Sequence, residues 1–393
     1  MGNEFRFMHC ADLHLGSRFK GLSRDDVELA RRMRESVFTS FSNIVDAAIE
    51  NDVDCLVISG DIYDDSNELP STRMWLSQQL SRLKVPVFIC RGNHDSATKW
   101  DSAIPYPENV HEFGTEPERI QVTPDVEIVG ISYSESHETR NLALMLDGDP
   151  SRFTIACVHC DLESVSEGYP YAPCRMSDLS GRGVDYWALG HIHKRAVVST
   201  DPYVVYPGNI QGRSYKETGP KGAYLVTVSS HRVAGMKFIP TGPYVWSDIT
   251  VDIAGRDLGS VIEEVRRSVP RRGICRITFA GSGQLDTMLR TEPDDVSSAI
   301  AAATGCTISS VSIHTSPEVD PESYAGGKSM QSAVIATAKR YESMSKEEIV
   351  ALICRNRMAA RHRDFYMSLA EEDLRSIVAD SMKDIIVRME VPR

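Results

Sequence analysis

Residues Cys55-Leu56-Val57-Ile58-Ser59-Gly60-Asp61-Ile62-Tyr63-Asp64 decide how the rest of the chain reads. The uncharged, mostly apolar run has the character of a buried strand, and the Gly-Asp after it sets a carboxylate at the strand's mouth. Sheets of the α/β class collect their ligands at the carboxyl ends of strands. Outward from this stretch the same arrangement recurs. Asp12 and His14 follow Phe5–Ala11, and Asn93, His94 and Asp95 follow Val87–Gly92. His159 closes the run that starts at Thr154, and His191 and His193 follow Tyr186–Gly190. One Asp-x-His is commonly a turn with a hydrogen-bonded Asp. Five such segments in order, each behind a buried strand, describe a metal centre.

Between these strands the spacing turns helical. A long segment opens at Ser23, an N-cap residue, with Asp25 and Asp26 suited to the positive end of a helix dipole. Its apolar positions Ala30, Met33, Val37, Phe41, Ile44 and Ala48 keep helical spacing, so one face packs on a sheet. A second helix is expected over 70–83, before the strand that ends at Arg91. Strand–helix–strand repeats imply parallel strands joined by right-handed crossovers. With β-rich runs near 118–133, 153–159, 185–189, 203–206 and 222–229, residues 1–240 predict an α/β fold. Two stacked sheets are flanked by helices, and the ligand-bearing loops lie along one rim.

From Thr241-Gly242-Pro243 the pattern changes. Strand, helix, strand, helix and strand are predicted over 246–253, 258–269, 274–279, 294–303 and 307–314, giving a small α+β cap domain at 241–316. Residues 317–329 lie in a stretch rich in Pro, Ser and Gly and read as a linker. Residues 330–393 are helical, with apolar positions such as Ile349, Ile353, Leu374, Ile377, Ile385 and Ile386. A helical tail too short to bury its own core docks on a partner.

Composition sets the remaining bounds. With 393 residues, 41% hydrophobic and 25% charged, the chain has ample core material for more than one domain. It has no apolar run long enough to span a membrane, and no basic-then-apolar leader is visible. Nine cysteines, an odd number placed largely inside strand-like runs, suit buried thiols in the cytoplasm rather than a disulfide framework. Cys157 and Cys160 form a C-x-x-C without a second pair, which favours strand packing over a zinc site. The net charge of −12 argues against nucleic-acid binding by bulk positive charge, yet bound divalent cations reverse the sign locally.

Asp, Asn and His together suit Mn²⁺ or another borderline ion, Fe²⁺ or Zn²⁺, rather than a thiolate-held metal. The natural partition gives one ion Asp12, His14, Asp61 and His193, and the second Asp61, Asn93, His159 and His191, with Asp61 bridging. Two ions about 3.5–4 Å apart clamp both in-line oxygens of a phosphoryl displacement and hold a hydroxide between them. His94 directly follows a ligand and is the expected general acid for the leaving oxygen. Asp64 is expected to hold its other ring nitrogen.

These segments resemble the calcineurin-like metallophosphoesterase superfamily, whose pattern is D-x-H, G-D-x-x-D, G-N-H-D/E, H and G-H-x-H. Within it the chain looks most similar to the DNA-repair nuclease branch, that of SbcD and YhaO-type bacterial exonucleases. His9–Gly16, Tyr206-Pro207-Gly208-Asn209-Ile210-Gln211-Gly212-Arg213 and Gly219–Tyr224 carry the narrower match. At Asp64 the chain has the acid of SbcD-like members, where archaeal and eukaryotic members have a histidine. The resemblance implies a Mn²⁺-dependent DNA exo/endonuclease of double-strand-break repair or end processing. It also implies a homodimer and an SbcC-like coiled-coil ATPase bound through the C-terminal helices. A phosphoesterase of small nucleotides or phosphoproteins shares the same metal chemistry and is the alternative.

Overall fold

The computed structural model describes residues 4–17, 27–64, 69–96, 103–163, 171–271, 273–318 and 327–390. Ser23, Asp25 and Asp26, expected to open the first helix, lie outside the described residues, as does most of the expected linker.

In chain order the elements begin with β1 (Phe5–Cys10), α1 (Val27–Glu50), β2 (Cys55–Ser59), α2 (Pro70–Leu80), β3 (Val87–Cys90) and β4 (Val110–Glu112). They continue with β5 (Glu118–Thr123), β6 (Val126–Ile131), β7 (Phe153–His159), β8 (Asp161–Leu162), β9 (Pro173–Cys174), α3 (Met176–Leu179) and β10 (Tyr186–Gly190). Next come β11 (Ala196–Thr200), β12 (Tyr203–Tyr206), β13 (Gly222–Ser229) and β14 (Arg232–Pro240). The remainder is β15 (Trp246–Asp252), α4 (Leu258–Ser268), β16 (Ile274–Ser282), α5 (Leu285–Thr291), α6 (Pro293–Thr304) and β17 (Thr307–Ser316). The final helices are α7 (Met330–Glu342), α8 (Lys346–Ile353), α9 (Arg357–Ala360), α10 (Arg363–Ser368) and α11 (Glu371–Glu390).

Two sheets carry the ligand segments. The first runs β14-β13-β1-β2-β3-β4 and the second β11-β12-β10-β7-β6-β5. β1, β2, β3 and β4 are parallel, as are β12, β10, β7 and β6, while the outer strands join antiparallel. Alternation along each strand sorts the core into layers. Phe7, Val57 and Phe88 face Ile155, Cys157 and Ala188 between the sheets. Met8, Leu56 and Ile58 turn the other way onto Met33, Val37, Phe41 and Ile44 of α1, with Leu76 and Leu80 of α2. Val129, Val158 and Trp187 pack on the far side of the second sheet against Leu142 and Leu179. This is the two-sheet α/β sandwich flanked by helices that the sequence predicts.

The departures have local causes. α2 stops at Leu80, short of 83, although Leu83 is still buried. β11 and β14 carry no clean apolar alternation because they are edge strands with largely solvent-facing side chains. β15, β16 and β17 form a three-stranded sheet in that order, and α5 lies where no helix was expected.

The chain divides into two compact units. One comprises Met1–Asp248, Val269–Arg276 and Gly305–Ser309, and the other Ile249–Ser268, Ile277–Thr304 and Ser310–Arg393. Within the second unit the terminal helices enclose a small cluster of Ile349, Val350 and Leu374. Ile349 is therefore spent on the tail's own core, whereas Ile377 and Ile385 remain exposed. None of the nine cysteines is in a disulfide, and none but Cys354 reaches even partial exposure. The C-x-x-C is not a pair: Cys160 Sγ meets Cys174 Sγ at 3.6 Å, while Cys157 lies against Ile58 O. No helix among the described residues is long and apolar enough to cross a membrane.

Candidate metal centre

The loops leaving β1, β2, β3, β7 and β10 meet at one rim of the sandwich. Parallel β1, β2 and β3 bring Asp12, His14, Asp61, Asn93 and His94 from one sheet, and parallel β7 and β10 bring His159, His191 and His193 from the other. Backbone bonds lock the first two loops together: Asp12 N donates to Gly60 O and His14 N to Asp61 O. Room is scarce, and glycine supplies it. Gly60 has φ +86°, and a Cβ there would strike the His159 ring; a Cβ on Gly190 would collide with Ser59 O.

Four of the expected ligands, Asp12, His14, Asp61 and His191, themselves have left-handed backbones, with φ of 52°, 47°, 52° and 100°. Each such residue costs of order 1–3 kcal/mol, a strain that clusters at functional sites because the surrounding structure imposes it.

The side chains converge in the manner of ligands. His14 Nε2 stands 3.0 Å from His193 Nε2. Asn93 Oδ1 lies 3.1 Å from His159 Nε2 and 3.2 Å from His191 Nδ1. Asp61 Oδ2 sits between the two groups, 3.8 Å from His14 Nε2 and 3.5 Å from His159 Nε2. His191 thus turns Nδ1 into the site, whereas the other three histidines turn Nε2. Asp12, His14 and His193 form one cluster able to hold a metal, and Asp12, Asp61 and His159 form another. The second grouping sets Asp12 nearer the Asp61–His159 side than the sequence partition had it.

Hydrogen bonds behind the rings set the tautomers. His159 Nδ1 lies 2.9 Å from Ser59 O, to which it can only donate, so Nε2 carries the lone pair facing Asn93 Oδ1. Burial pushes the His14 and His191 imidazoles down to about 3 and about 4, and His159 well below its ordinary value, so all three are neutral at pH 7. Burial also pushes Asp12 up and Asp61 well above the usual carboxylate range, with the charges of Asp95 and Asp12 adding to the effect on Asp61. Among the described residues, the buried Asp12 Oδ2 has no hydrogen-bond partner. Acceptors facing acceptors, and carboxylates disfavoured as bare anions, fit divalent cations in chemistry and in number of donors.

His94 and Asp64 also come together. Asp64 Oδ1 is 3.2 Å from His94 Nδ1, and the same oxygen is 3.4 Å from His14 Nδ1, a contact the sequence did not suggest. Burial pushes Asp64 up, but the histidines beside it and Ser17 outweigh that and hold it well below the carboxylate range. It is no exposed turn acid. Asp95, ambiguous in the sequence, staples two ligand loops. Its Oδ2 accepts from Ile62 N and its Oδ1 from Gly92 N, both at 2.7 Å.

Sequence reasoning missed Glu217, whose Oε1 lies 2.8 Å from His193 Nδ1. The only hint was its place just beyond Tyr206–Arg213. Arg213 and Lys221 also close on His193, with Lys221 Nζ donating to its carbonyl at 2.8 Å.

The family profile of calcineurin-like phosphoesterases matches residues 5–195, which takes in every one of the converging ligand loops. This chain carries a calcineurin-like metallophosphoesterase domain. It is 37% identical over 264 residues to YhaO, a metallophosphoesterase of Bacillus subtilis, covering 64% of this chain and 64% of YhaO. It is 27% identical over 245 residues to the DNA double-strand break repair protein Mre11 of Sulfurisphaera tokodaii, covering 57% of this chain and 60% of that protein. The chain thus spans under two thirds of either relative's length. Metallophosphoesterase domains are hydrolases that use divalent metal ions, and the acceptors gathered at the rim of this one are suited to them.

Proposed function

We propose that this chain is a two-metal DNA phosphodiesterase, an exo/endonuclease that processes DNA ends in double-strand-break repair. The carrying observation is the convergence of seven acceptor side chains from five strand-end loops, with the Asp61 carboxylate between the two groups. Asp12, His14, Asp61 and His193 would hold one ion and Asp61, Asn93, His159 and His191 the other, Mn²⁺ in each. Such ions supply Lewis-acid polarisation of the phosphoryl group. The chain's own residues do the rest. His94 holds the proton for the leaving oxygen, Asp64 fixes the His94 ring through Nδ1, and the neutral Asn93 coordinates without adding negative charge near an anionic substrate.

The choice of DNA is supported by the likeness to a DNA double-strand break repair protein. The test compares Mn²⁺-dependent degradation of linear duplex or hairpin DNA with hydrolysis of bis-p-nitrophenyl phosphate. Cleavage of both is expected. Hydrolysis of the small ester with DNA left intact would move the substrate to small nucleotides or phosphoproteins.

The proposal extends to assembly, as a cytoplasmic homodimer working with an SbcC-like coiled-coil ATPase. Support comes from an apolar groove of about 480 Å³ between α7 and α11, edged by Met330, Val334, Tyr341, Ile377, Ile385 and Met389. A coiled-coil helix fits such a groove. Deleting residues 330–393 is expected to spare cleavage of the small phosphodiester and to end co-purification with the ATPase. Retained ATPase binding, or loss of small-ester hydrolysis, would sink this assignment of the tail.

A further inference from the structure

We propose that Glu217 is the positioning residue that hands His193 to its metal ion, by holding the imidazole as the Nδ1–H tautomer. The inference rests on the metal-centre reading above and adds to it a residue outside the ligand set.

The argument lies in how the two carboxylate oxygens are used. Oε2 accepts from Asn209 Nδ2 at 2.9 Å and from the Arg213 backbone N at 2.8 Å. Oε1 faces His193 Nδ1 at 2.8 Å, with Arg213 Nη2 3.3 Å from the same oxygen. Two fixed donors demand an acceptor at Oε2, so the carboxylate cannot turn, and Oε1 is left to receive the ring proton. With that proton on Nδ1, the lone pair is on Nε2, the atom that faces His14 Nε2 at 3.0 Å. Arg213 Nη2, 3.1 Å from His193 Nδ1, would favour the opposite tautomer if it donated there, but its charge is already engaged by Glu217 Oε1. Carboxylates behind ligating histidines act in this way at metal sites generally.

The same geometry makes Glu217→Gln a sharp test. The donors at Oε2 will keep the amide oxygen on their side, which turns the amide NH₂ towards His193 Nδ1. The ring must then carry its proton on Nε2, where it cannot ligate. In calorimetric titration of the full-length, chelator-stripped chain with Mn²⁺, the parent is expected to bind two ions. Glu217→Gln should weaken one of them on the order of 10–100-fold while the other keeps its affinity. Ring ¹⁵N–¹H correlation of metal-free protein should show His193 protonated at Nδ1 in the parent and at Nε2 in the variant, a change that a merely structural role would not produce.

Equal affinities for both ions in parent and variant would overturn the role of Glu217. A parent that binds fewer than two ions would instead overturn the metal-centre reading. Should the variant fail to fold, the parent spectrum decides alone, because an Nε2-protonated His193 contradicts the proposal.

Discussion

Asp61→Asn is expected to abolish binding of both ions and to lower phosphodiester hydrolysis by on the order of 10³-fold or more. Several kcal/mol of transition-state stabilisation are lost, at about 1.4 kcal/mol per decade. One oxygen, Oδ2, faces both ligand groups, while Oδ1 accepts the His94 backbone N–H at 2.9 Å. An amide at this position keeps its oxygen on the His94 N–H and so turns NH₂ towards His14 and His159, a donor where acceptors converge. Asn is preferred to Ala for the test because residue 61 has φ 52°, a region that Asn tolerates. Manganese content of the purified variant and its rate on bis-p-nitrophenyl phosphate are the readouts. One ion retained together with substantial hydrolysis would show that Asp61 does not bridge.

His94→Ala is expected to keep the manganese content and the affinity for DNA while turnover falls on the order of 10²–10⁴-fold, the range for a lost general acid. The ring is partly exposed and lies outside the two acceptor groups that meet at Asp61, although His14, Asp64 and His94 form a third cluster able to hold a metal. Single-turnover cleavage separates the chemical step from binding, and loss of metal on this substitution would make His94 a ligand. Asp64→Asn is expected to lower turnover less than His94→Ala does. Because Asp64 Oδ1 stands behind His14 as well as His94, it should also weaken manganese binding. An unchanged rate and metal content would return Asp64 to the role of a turn residue.

The strand ends were legible because a largely apolar run leads into a ligand-type side chain at each, with a small residue between them at Ala11, Gly60, Gly92 and Gly190. That is why Asp12, Asp61, Asn93, His159 and His191 could be named without coordinates, and why the structure brings them together. Glu217 offers a ligand-type carboxylate, but it follows Tyr215 and Lys216 rather than an apolar run and a small residue. Its position beside His193 depends on the loop between β12 and β13 folding back, and no periodicity encodes that. Asp95 was ambiguous because Asp before a helix is a common cap, and what decides its place here is that each of its oxygens accepts from a ligand loop. The contact of Cys160 with Cys174 is likewise tertiary, and the nearer Cys157 diverted the reading from it. β11 and β14 escaped because an edge strand facing solvent has no reason to alternate.

Neither sheet owns the centre. One contributes the acids and His14, the other His159, His191 and His193, so the spacing of the acceptors is measured across the seam between them. That seam is filled by buried side chains that include Phe7, Val57, Phe88, Ile155, Cys157 and Ala188. A packed interior transmits small changes of volume, and these side chains therefore act as a gauge block for the distance between the two sets of acceptors. A methyl group gained or lost there alters the bite of the site while strand pairing stays as it was. Variation in metal preference among proteins of this architecture can thus originate in buried packing that never meets the metal.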